Sequence, residues 1–105
     1  MARRKGKHNF ANERHDRGLT ELLKNIRHEI PGTQVIIKEA QFWEGNHLVA
    51  EPDGLIWDGE TLHIIEYKYR DCAEEKAHKQ LATARRFIEN DIGLYVPCNT
   101  IFMYG

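Results

Sequence analysis

Apolar residues recur at helical spacing in the first part of the chain. Between about residues 12 and 30 they return every three or four positions, which indicates an amphipathic helix that packs against a core. Pro31-Gly32 ends this helix. Gly18 lies inside it and costs about 1 kcal/mol relative to Ala, which predicts that the first turns fray or form a separate piece. The apolar stripe consists of Leu19, Leu22, Leu23, Ile26 and Ile30.

The middle of the chain is rich in β-branched and aromatic residues and predicts three strands. The first strand runs over residues 33–43, and a turn at Glu44-Gly45-Asn46 leads into the second strand at Leu48-Val49-Ala50. Asp58-Gly59 then forms the turn to the third strand, which ends near Lys68. Three such consecutive strands form an antiparallel meander.

A second helix and a last strand complete the predicted order of elements. Asp71 and Glu74 form a capping-box-like pair at the start of the helix. Its buried stripe contains Ala73, Ala77, Leu81, Ala84 and Ile88, and the helix ends at residues 90–93. Residues 100–104 form the last strand, which a right-handed crossover makes parallel to the third. The order is α-β-β-β-α-β.

The Asp58-Gly59 turn sets the register of the second and third strands. Asp-Gly in a two-residue loop adopts a type I′ turn, because both central positions need positive φ. Trp57 then pairs with Glu60, and Asp53 faces Ile64. The face that carries Asp53 therefore also carries Leu62, Ile64, Glu66 and Lys68, because side chains alternate along each strand.

Charged groups cluster on this partly apolar face. Asp53 and Glu66 are diagonal neighbours at roughly 7–8 Å between Cα atoms, and Glu51 joins them if pairing continues past Pro52. Carboxylates in such a place repel and desolvate one another unless a cation lies between them, and a hard divalent ion is the natural partner. For Glu66 and Lys68 alone an exposed salt bridge is the simpler interpretation, but the whole cluster favours a site.

The motif Pro52-Asp53, a spacer of a dozen residues and Glu66-Tyr67-Lys68 resembles the signature of the PD-(D/E)xK nuclease superfamily. The resemblance implies that Asp53 and Glu66 bind Mg²⁺, for which Mn²⁺ substitutes, and that the Tyr67 backbone carbonyl is a further ligand. It implies that Lys68 activates or positions the attacking water. It also implies an α/β (α+β) fold with a restriction-endonuclease-like αβββαβ core, in which two helices flank a mixed four-stranded sheet over residues 1–105.

Within this superfamily the chain is similar to archaeal Holliday-junction resolvases and RecB-like nucleases. Lys5-Gly6 followed by Glu13-Arg14 resembles the opening of the resolvases, which implies that Glu13 is an additional acidic catalytic residue. Glu21 is the competing choice, and a solvated first-turn acid is the alternative interpretation of Glu13. Gln80 corresponds to the Gln that borders the site of RecB-like nucleases, on the helix after the Glu-x-Lys strand.

The distribution of charge adds one candidate interaction. The net charge of −1 gives no overall attraction for nucleic acid, but a basic segment occupies residues 1–9. We expect this segment to be flexible, and it is either a solvated end or an arm that contacts phosphates. In the second case the nucleic-acid-binding residues are Arg3, Arg4, Lys5 and Lys7.

Composition predicts the cellular compartment of the protein. No apolar segment follows the basic tail, which argues against a signal peptide, and no apolar run approaches the length that spans a membrane. Cys72 and Cys98 lack the spacing of a metal-ligand pair, so we expect them to remain thiols in a reducing compartment. These features predict a cytoplasmic protein that does not bind membranes.

We therefore expect a Mg²⁺-dependent DNA endonuclease that hydrolyses phosphodiester bonds in double-stranded or branched DNA. Structure-specific, resolvase-like cleavage would call for a homodimer, because one small domain does not cut two strands symmetrically. An exonuclease or restriction-type nuclease with the same site is one alternative. The others are a catalytically inactive nucleic-acid-binding or assembly module with the same fold, and an unrelated α+β protein.

Overall fold

The chain folds into a mixed α/β structure, which a computed structural model describes for residues 10–68 and 74–104. The helices are α1 (Phe10–Lys24), α2 (Ile26–Glu29) and α3 (Glu74–Arg86), and α3 continues as a π-helical segment (Phe87–Ile92). The strands are β1 (Val35–Lys38), β2 (Phe42–Glu44), β3 (His47–Ala50), β4 (Gly54–Trp57), β5 (Leu62–Lys68) and β6 (Cys98–Tyr104).

Across these residues a four-stranded sheet has the order β1-β4-β5-β6. The pairs β1–β4 and β4–β5 are antiparallel, whereas β5 and β6 are parallel. A parallel pair needs a long crossover, which α3 and the π-helical segment provide. The predicted mixed four-stranded sheet with helices is confirmed, and so is the parallel last strand.

The first and second predicted strands are each divided in two, so the prediction of one continuous meander was wrong at this point. Glu39 has a φ of 59°, which is uncommon for a residue other than Gly, and Pro52 has no N–H to donate. The β1–β4 ladder ends there, and the same two segments continue as a separate two-stranded hairpin, β2–β3. A hydrogen bond of 2.8 Å from the Glu39 N–H to the Asp53 carbonyl bridges the break.

The first helix ends earlier than its apolar stripe predicts. Asn25 has φ −104° and ψ 9°, and its side-chain amide donates to the Glu21 carbonyl at 2.9 Å. Asn side chains compete with the backbone for helical hydrogen bonds in this way. A second, short helix then carries the stripe to Ile30, before Pro31 and Gly32, whose φ is 87°.

The sheet is packed on both faces, because β5 contributes side chains to each of them. One cluster joins α1 and α2 to the sheet through Leu19, Leu23, Ile26, Ile30, Ile56, Ile65 and Tyr67. The other joins α3 and the hairpin to the opposite face through Phe42, Ile64, Leu81, Ala84, Phe87 and Ile88. The predicted stripes are thereby confirmed apart from Leu22, which is only partly buried, and from Ala73, which lies outside the described residues, as does the predicted cap Asp71.

Gly18 is the point of closest approach between α1 and β5. Helix α1 continues through it without interruption, so the predicted break or fraying at Gly18 was wrong. A Cβ atom at this position would overlap the hydroxyl group and ring of Tyr67. Gly18 lowers the intrinsic stability of the helix, but it allows α1 to contact the sheet.

In the described part of the chain, no helix is long and apolar enough to cross a membrane.

Candidate active site

The loop between β4 and β5 is longer than the predicted two-residue turn. Trp57 pairs with Leu62, so four residues lie between the strands. The Asp58 carboxylate accepts hydrogen bonds from the backbone N–H groups of Glu60, at 2.9 Å, and Thr61, at 2.7 Å. Asp side chains commonly stabilise turns by bonding backbone groups two or three residues ahead. The prediction of a type I′ turn with Trp57 opposite Glu60 was therefore wrong.

The change of loop moves the register by two residues, and this preserves the predicted face. A shift of one residue would have turned every side chain to the other side of the sheet, but a shift of two does not. The last pair of the ladder is Gly54 with Ile65, and Asp53 and Glu66 follow directly on the two strands. They are thus opposite one another rather than diagonal. The Tyr67 N–H donates to Asp53 Oδ2 at 2.8 Å.

Glu66 is a buried carboxylate beside another acid. Only 4% of its surface is exposed. Burial raises the pKa of Glu66, and the negative charge of Asp53 raises it further, while the positive charges of Lys68 and His15 oppose the rise. The Lys68 Nζ lies 3.2 Å from Glu66 Oε2. A cation bound between Asp53 and Glu66 would relieve their repulsion and favour the ionised form of both.

His15 joins these residues from helix α1, and the sequence analysis missed it. Its Nε2 donates to the Tyr67 carbonyl at 2.9 Å and lies 3.4 Å from Asp53 Oδ2. The imidazole ring also contacts the Tyr67 ring, with 5.4 Å between centroids. Helical spacing was the available signal, since His15 lies four residues before Leu19 on the face that packs against the sheet. The carbonyl expected to bind metal is thus hydrogen-bonded to His15.

A cavity of about 640 Å³ opens above these carboxylates, between β3 and α3. Gln80 lines it, as do the basic residues Lys76 and Lys79 on the same helix. Glu51 lines the opposite side, where its carboxylate accepts a hydrogen bond of 3.0 Å from Gln41. The structure therefore brings together Asp53, Glu66, Lys68 and Gln80 from the predicted site, and adds His15, Lys76 and Lys79.

The remaining predicted residues lie elsewhere. Glu13 is in the first turns of α1 and is not among the residues that line the cavity. Glu21, its competitor, lines a separate cavity of about 570 Å³ formed by α1, α2 and β6. The predicted nucleic-acid-binding residues Arg3, Arg4, Lys5 and Lys7 lie outside the described residues.

Asp53 and Glu66 offer two hard oxygen ligands for a divalent ion. The described residues contain no group of three or more His, Cys, Asp or Glu side chains arranged to hold a metal. Mg²⁺ does not require such a group, because it is usually bound through one or two carboxylates with water and substrate phosphates completing the octahedron. The donor set therefore fits a Mg²⁺ ion that binds together with a phosphate-bearing substrate.

No protein-family model matches the chain, and comparisons with curated proteins and with solved structures gave no significant match. The side chains of the cavity are therefore the basis for inferring which chemistry it supports. Two opposed carboxylates, one of them buried, meet a lysine and a histidine at one end of the β4–β5 hairpin. Two further lysines lie on the facing helix.

Proposed function

We propose that the chain is a metal-dependent nuclease of the PD-(D/E)xK type, which hydrolyses phosphodiester bonds of DNA with Mg²⁺ held by Asp53 and Glu66. The observation that supports this most is the burial of the Glu66 carboxylate opposite Asp53. Two acids so placed disfavour ionisation until a cation joins them. The order of helices and strands and the mixed sheet are compatible with the restriction-endonuclease-like fold that this proposal includes.

The residues around the carboxylates suit hydrolysis of a phosphodiester. When bound, Mg²⁺ would neutralise charge on the scissile phosphate and lower the pKa of a water molecule. Lys68 carries a positive charge next to Glu66, where it stabilises negative charge that grows on the phosphate oxygens. Gln80 offers an amide that donates to the attacking water or accepts from it.

The wall formed by α3 suits the approach of a polyanion. Lys76 and Lys79 are exposed and lie one turn apart on the side that lines the cavity. Their ammonium groups would hold the phosphates on either side of the scissile bond and leave the base sequence unread. This arrangement gives a basic surface to a chain whose net charge is slightly negative.

A second candidate is a nucleic-acid-binding module that does not cut. The hydrogen bond from His15 to the Tyr67 carbonyl favours it, because this carbonyl is the expected third protein ligand of the metal. Such a module would bind nucleic acid through Lys76 and Lys79, and its carboxylates would take part in no reaction. Binding that needs no metal and produces no cleavage would identify it.

The test is a cleavage assay on labelled linear duplex, branched and single-stranded DNA, each with Mg²⁺, Mn²⁺ or a chelator. We expect cleavage with either metal and none with the chelator. Asp53→Asn and Glu66→Gln should each lower the rate on the order of 10³-fold or more, because each removes an anionic ligand without changing volume. Symmetric incision of branched DNA would support a resolvase-like homodimer.

Glu75→Gln is the matched control, because Glu75 is an exposed acid on α3 outside the cavity lining. It should cut at the wild-type rate. Circular dichroism should show the same fold for all three variants. Wild-type rates in both Asp53→Asn and Glu66→Gln, or cleavage that persists in chelator, would contradict the proposed function.

A further inference from the structure

Strand β1 forms one edge of the four-stranded sheet, and two of its apolar side chains are exposed. Val35 and Ile37 are each 45% exposed, whereas Ile36, between them, packs against the core that α1 and α2 form with the sheet. Side chains alternate along a strand, so Val35 and Ile37 lie on the opposite face of the sheet, which is the face of α3 and the cavity. In the part of the chain that the structure describes, no strand pairs with the outer side of β1.

The backbone of β1 directs hydrogen-bonding groups toward this open edge. The Glu39 N–H donates to the Asp53 carbonyl at 2.8 Å, in the register of the β1–β4 ladder. Successive residues of an antiparallel strand direct their N–H and C=O groups to alternate sides, so those of Ile36 and Lys38 point away from β4. An edge strand of this kind is a template for pairing with a strand of another chain.

The charged side chain of β1 does not protect the edge. Lysine on an edge strand commonly discourages pairing with another chain. Lys38, however, lies on the α1 face of the sheet, where its Nζ is 2.7 Å from Asp16 Oδ1 and 3.1 Å from Thr20 Oγ1. These contacts offset its charge and hold it on the other face from Val35 and Ile37.

Strand β6, at the opposite edge of the sheet, is covered on both faces. On one face the His78 ring of α3 contacts the Phe102 ring, with 5.5 Å between centroids. On the other face Ile101 and Met103 pack against the cluster that joins α1 and α2 to the sheet. Helices on both faces hinder the approach of a further sheet. Strand β1, in contrast, is covered on the face of Ile36 and open on the other.

A second copy of the chain supplies a strand that fits this edge. Antiparallel pairing of β1 with itself, around a two-fold axis at Ile37, lets Ile36 exchange backbone hydrogen bonds with Lys38 of the second copy, and the reverse. It also places Ile37 directly against Ile37 of the second copy, with Val35 as a diagonal neighbour. Residues 1–9, in contrast, are basic and include no Val, Ile, Leu, Phe, Tyr or Trp with which to cover these side chains.

We propose that the chain forms a homodimer in which the two β1 strands pair antiparallel and join both sheets into one. Strand β1 has four residues, and small interfaces bind weakly, so we expect a dissociation constant in the micromolar range. The two-fold axis is perpendicular to the joined sheet, and both cavities therefore open on the same face. The inference names the interface for the homodimer that symmetric incision needs, and this use of the dimer rests on the proposed function.

Sedimentation velocity over a concentration series, without DNA or metal, measures the dimer directly. Wild type should change from monomer to dimer as its concentration rises through the micromolar range. Ile37→Lys should raise the dissociation constant roughly tenfold or more, because two ammonium groups replace the apolar contact at the axis. Ile92→Lys is the matched control, since Ile92 is 55% exposed but lies on the π-helical segment rather than on the sheet. It should dimerise as wild type does.

A mixing experiment tests the register. Ile37→Glu should be monomeric for the same reason as Ile37→Lys. An equimolar mixture of the two variants should recover dimers, because opposite charges then face each other at the axis. Circular dichroism should show the wild-type fold for each variant.

Two results would overturn the inference. One is a wild type that stays monomeric well above micromolar concentration. The other is a dimer whose dissociation constant Ile37→Lys leaves unchanged, or whose charged variants do not associate when mixed. A dimer formed through β1 by a protein that cleaves no DNA would uphold the inference and refute the proposed nuclease. Cleavage of DNA by a protein that stays monomeric would do the reverse.

Discussion

At each end of the β4–β5 hairpin an aspartate lies beside a histidine, but the surroundings of the two pairs differ. At the turn, Asp58 accepts hydrogen bonds from His63 Nε2, at 2.9 Å, and from the N–H groups of Thr61 and Glu60. These donors, with His63 the strongest, lower the pKa of Asp58 from its ordinary value of 3.8 to about 2. Asn99 in turn donates to His63 Nδ1 at 3.2 Å. Donors thus surround the acid.

At the open end an acid faces another acid. Asp53 and His15 are 3.4 Å apart, a looser contact than that of Asp58 with His63, and Glu66 lies buried opposite. Here burial and the charge of Asp53 raise the pKa of Glu66. A carboxylate surrounded by donors thus stabilises the fold, whereas two carboxylates that face one another favour a bound cation.

Among the variants that test this difference between the two ends, Lys68→Met is expected to have the largest effect, on the rate of cleavage. In the proposed nuclease its charge acts on the transition state, so single-turnover cleavage should fall roughly 10²- to 10³-fold while affinity for DNA changes little. His63→Gln, at the turn, should cut at the wild-type rate. Rapid-quench kinetics and binding titrations separate the two quantities. A loss of affinity with an unchanged single-turnover rate would contradict the role assigned to Lys68.

Gly18→Ala is expected to have the next largest effect, on stability. In an exposed helix interior this change stabilises by about 1 kcal/mol. Here the added Cβ meets the hydroxyl and ring of Tyr67, and overpacking of this kind costs about 1–3 kcal/mol. Urea unfolding measures the difference, and Tyr67→Phe should recover part of it by removing the hydroxyl.

A more stable Gly18→Ala variant would show that α1 is not held against β5 as described. The open end depends on that contact, because α1 carries His15. The hydrogen bond from His15 to the Tyr67 carbonyl should therefore weaken together with stability in Gly18→Ala. The Asp58–His63 pair at the turn should be unaffected, which nuclear magnetic resonance of the His63 ring would report.

The smallest effects are expected in the dependence of stability on pH, where the two ends should differ in sign. The lowered pKa of Asp58 means that its contribution is present above pH 3.8 and is lost as the pH falls toward about 2. Asp58→Asn should thus be less stable than wild type at neutral pH, with a difference that disappears in acid.

Glu66 should behave in the opposite way. Because its pKa is raised above the ordinary value of 4.5, its contribution is present below pH 4.5 and is lost as the pH rises through the raised value. Glu66→Gln should therefore equal or exceed wild type in stability at neutral pH, without metal. Unfolding curves for both variants across this range provide the check. If the stability of the two variants relative to wild type changed with pH in the same direction, the two ends of the hairpin would not differ in the way described.

The sequence predicted the features that depend on periodicity, and missed those that depend on a single local conformation. Alternation placed Asp53, Glu66 and Lys68 on one face, and this survived a wrong turn type because the register moved by an even number of residues. The break of the strands depends on a positive φ at Glu39, a residue type that gives no warning of it.

Two other misses concern single side chains. Phe87 lies three residues after Ala84 on the buried face of the helix, where ordinary helical spacing would have included it in the predicted stripe. Helical spacing places His15 on the buried face of α1, four residues before Leu19, but it does not show that the ring reaches Tyr67 and Asp53. Its role depends on how closely α1 approaches the sheet at Gly18, and no pattern along the chain reports that distance.

The parallel pairing of β6 with β5 also determines when the open end forms during protein synthesis. Synthesis proceeds from the N-terminus, so β4 and β5 leave the ribosome before α3 and β6. Glu66 lies beside Phe102 of β6 and faces the helix that precedes it. We therefore expect a ribosome-bound chain that stops before β6 to carry an ordinary, solvated Glu66. The buried pair of Asp53 and Glu66, to which we assign cation binding, should form only after residue 104 has emerged.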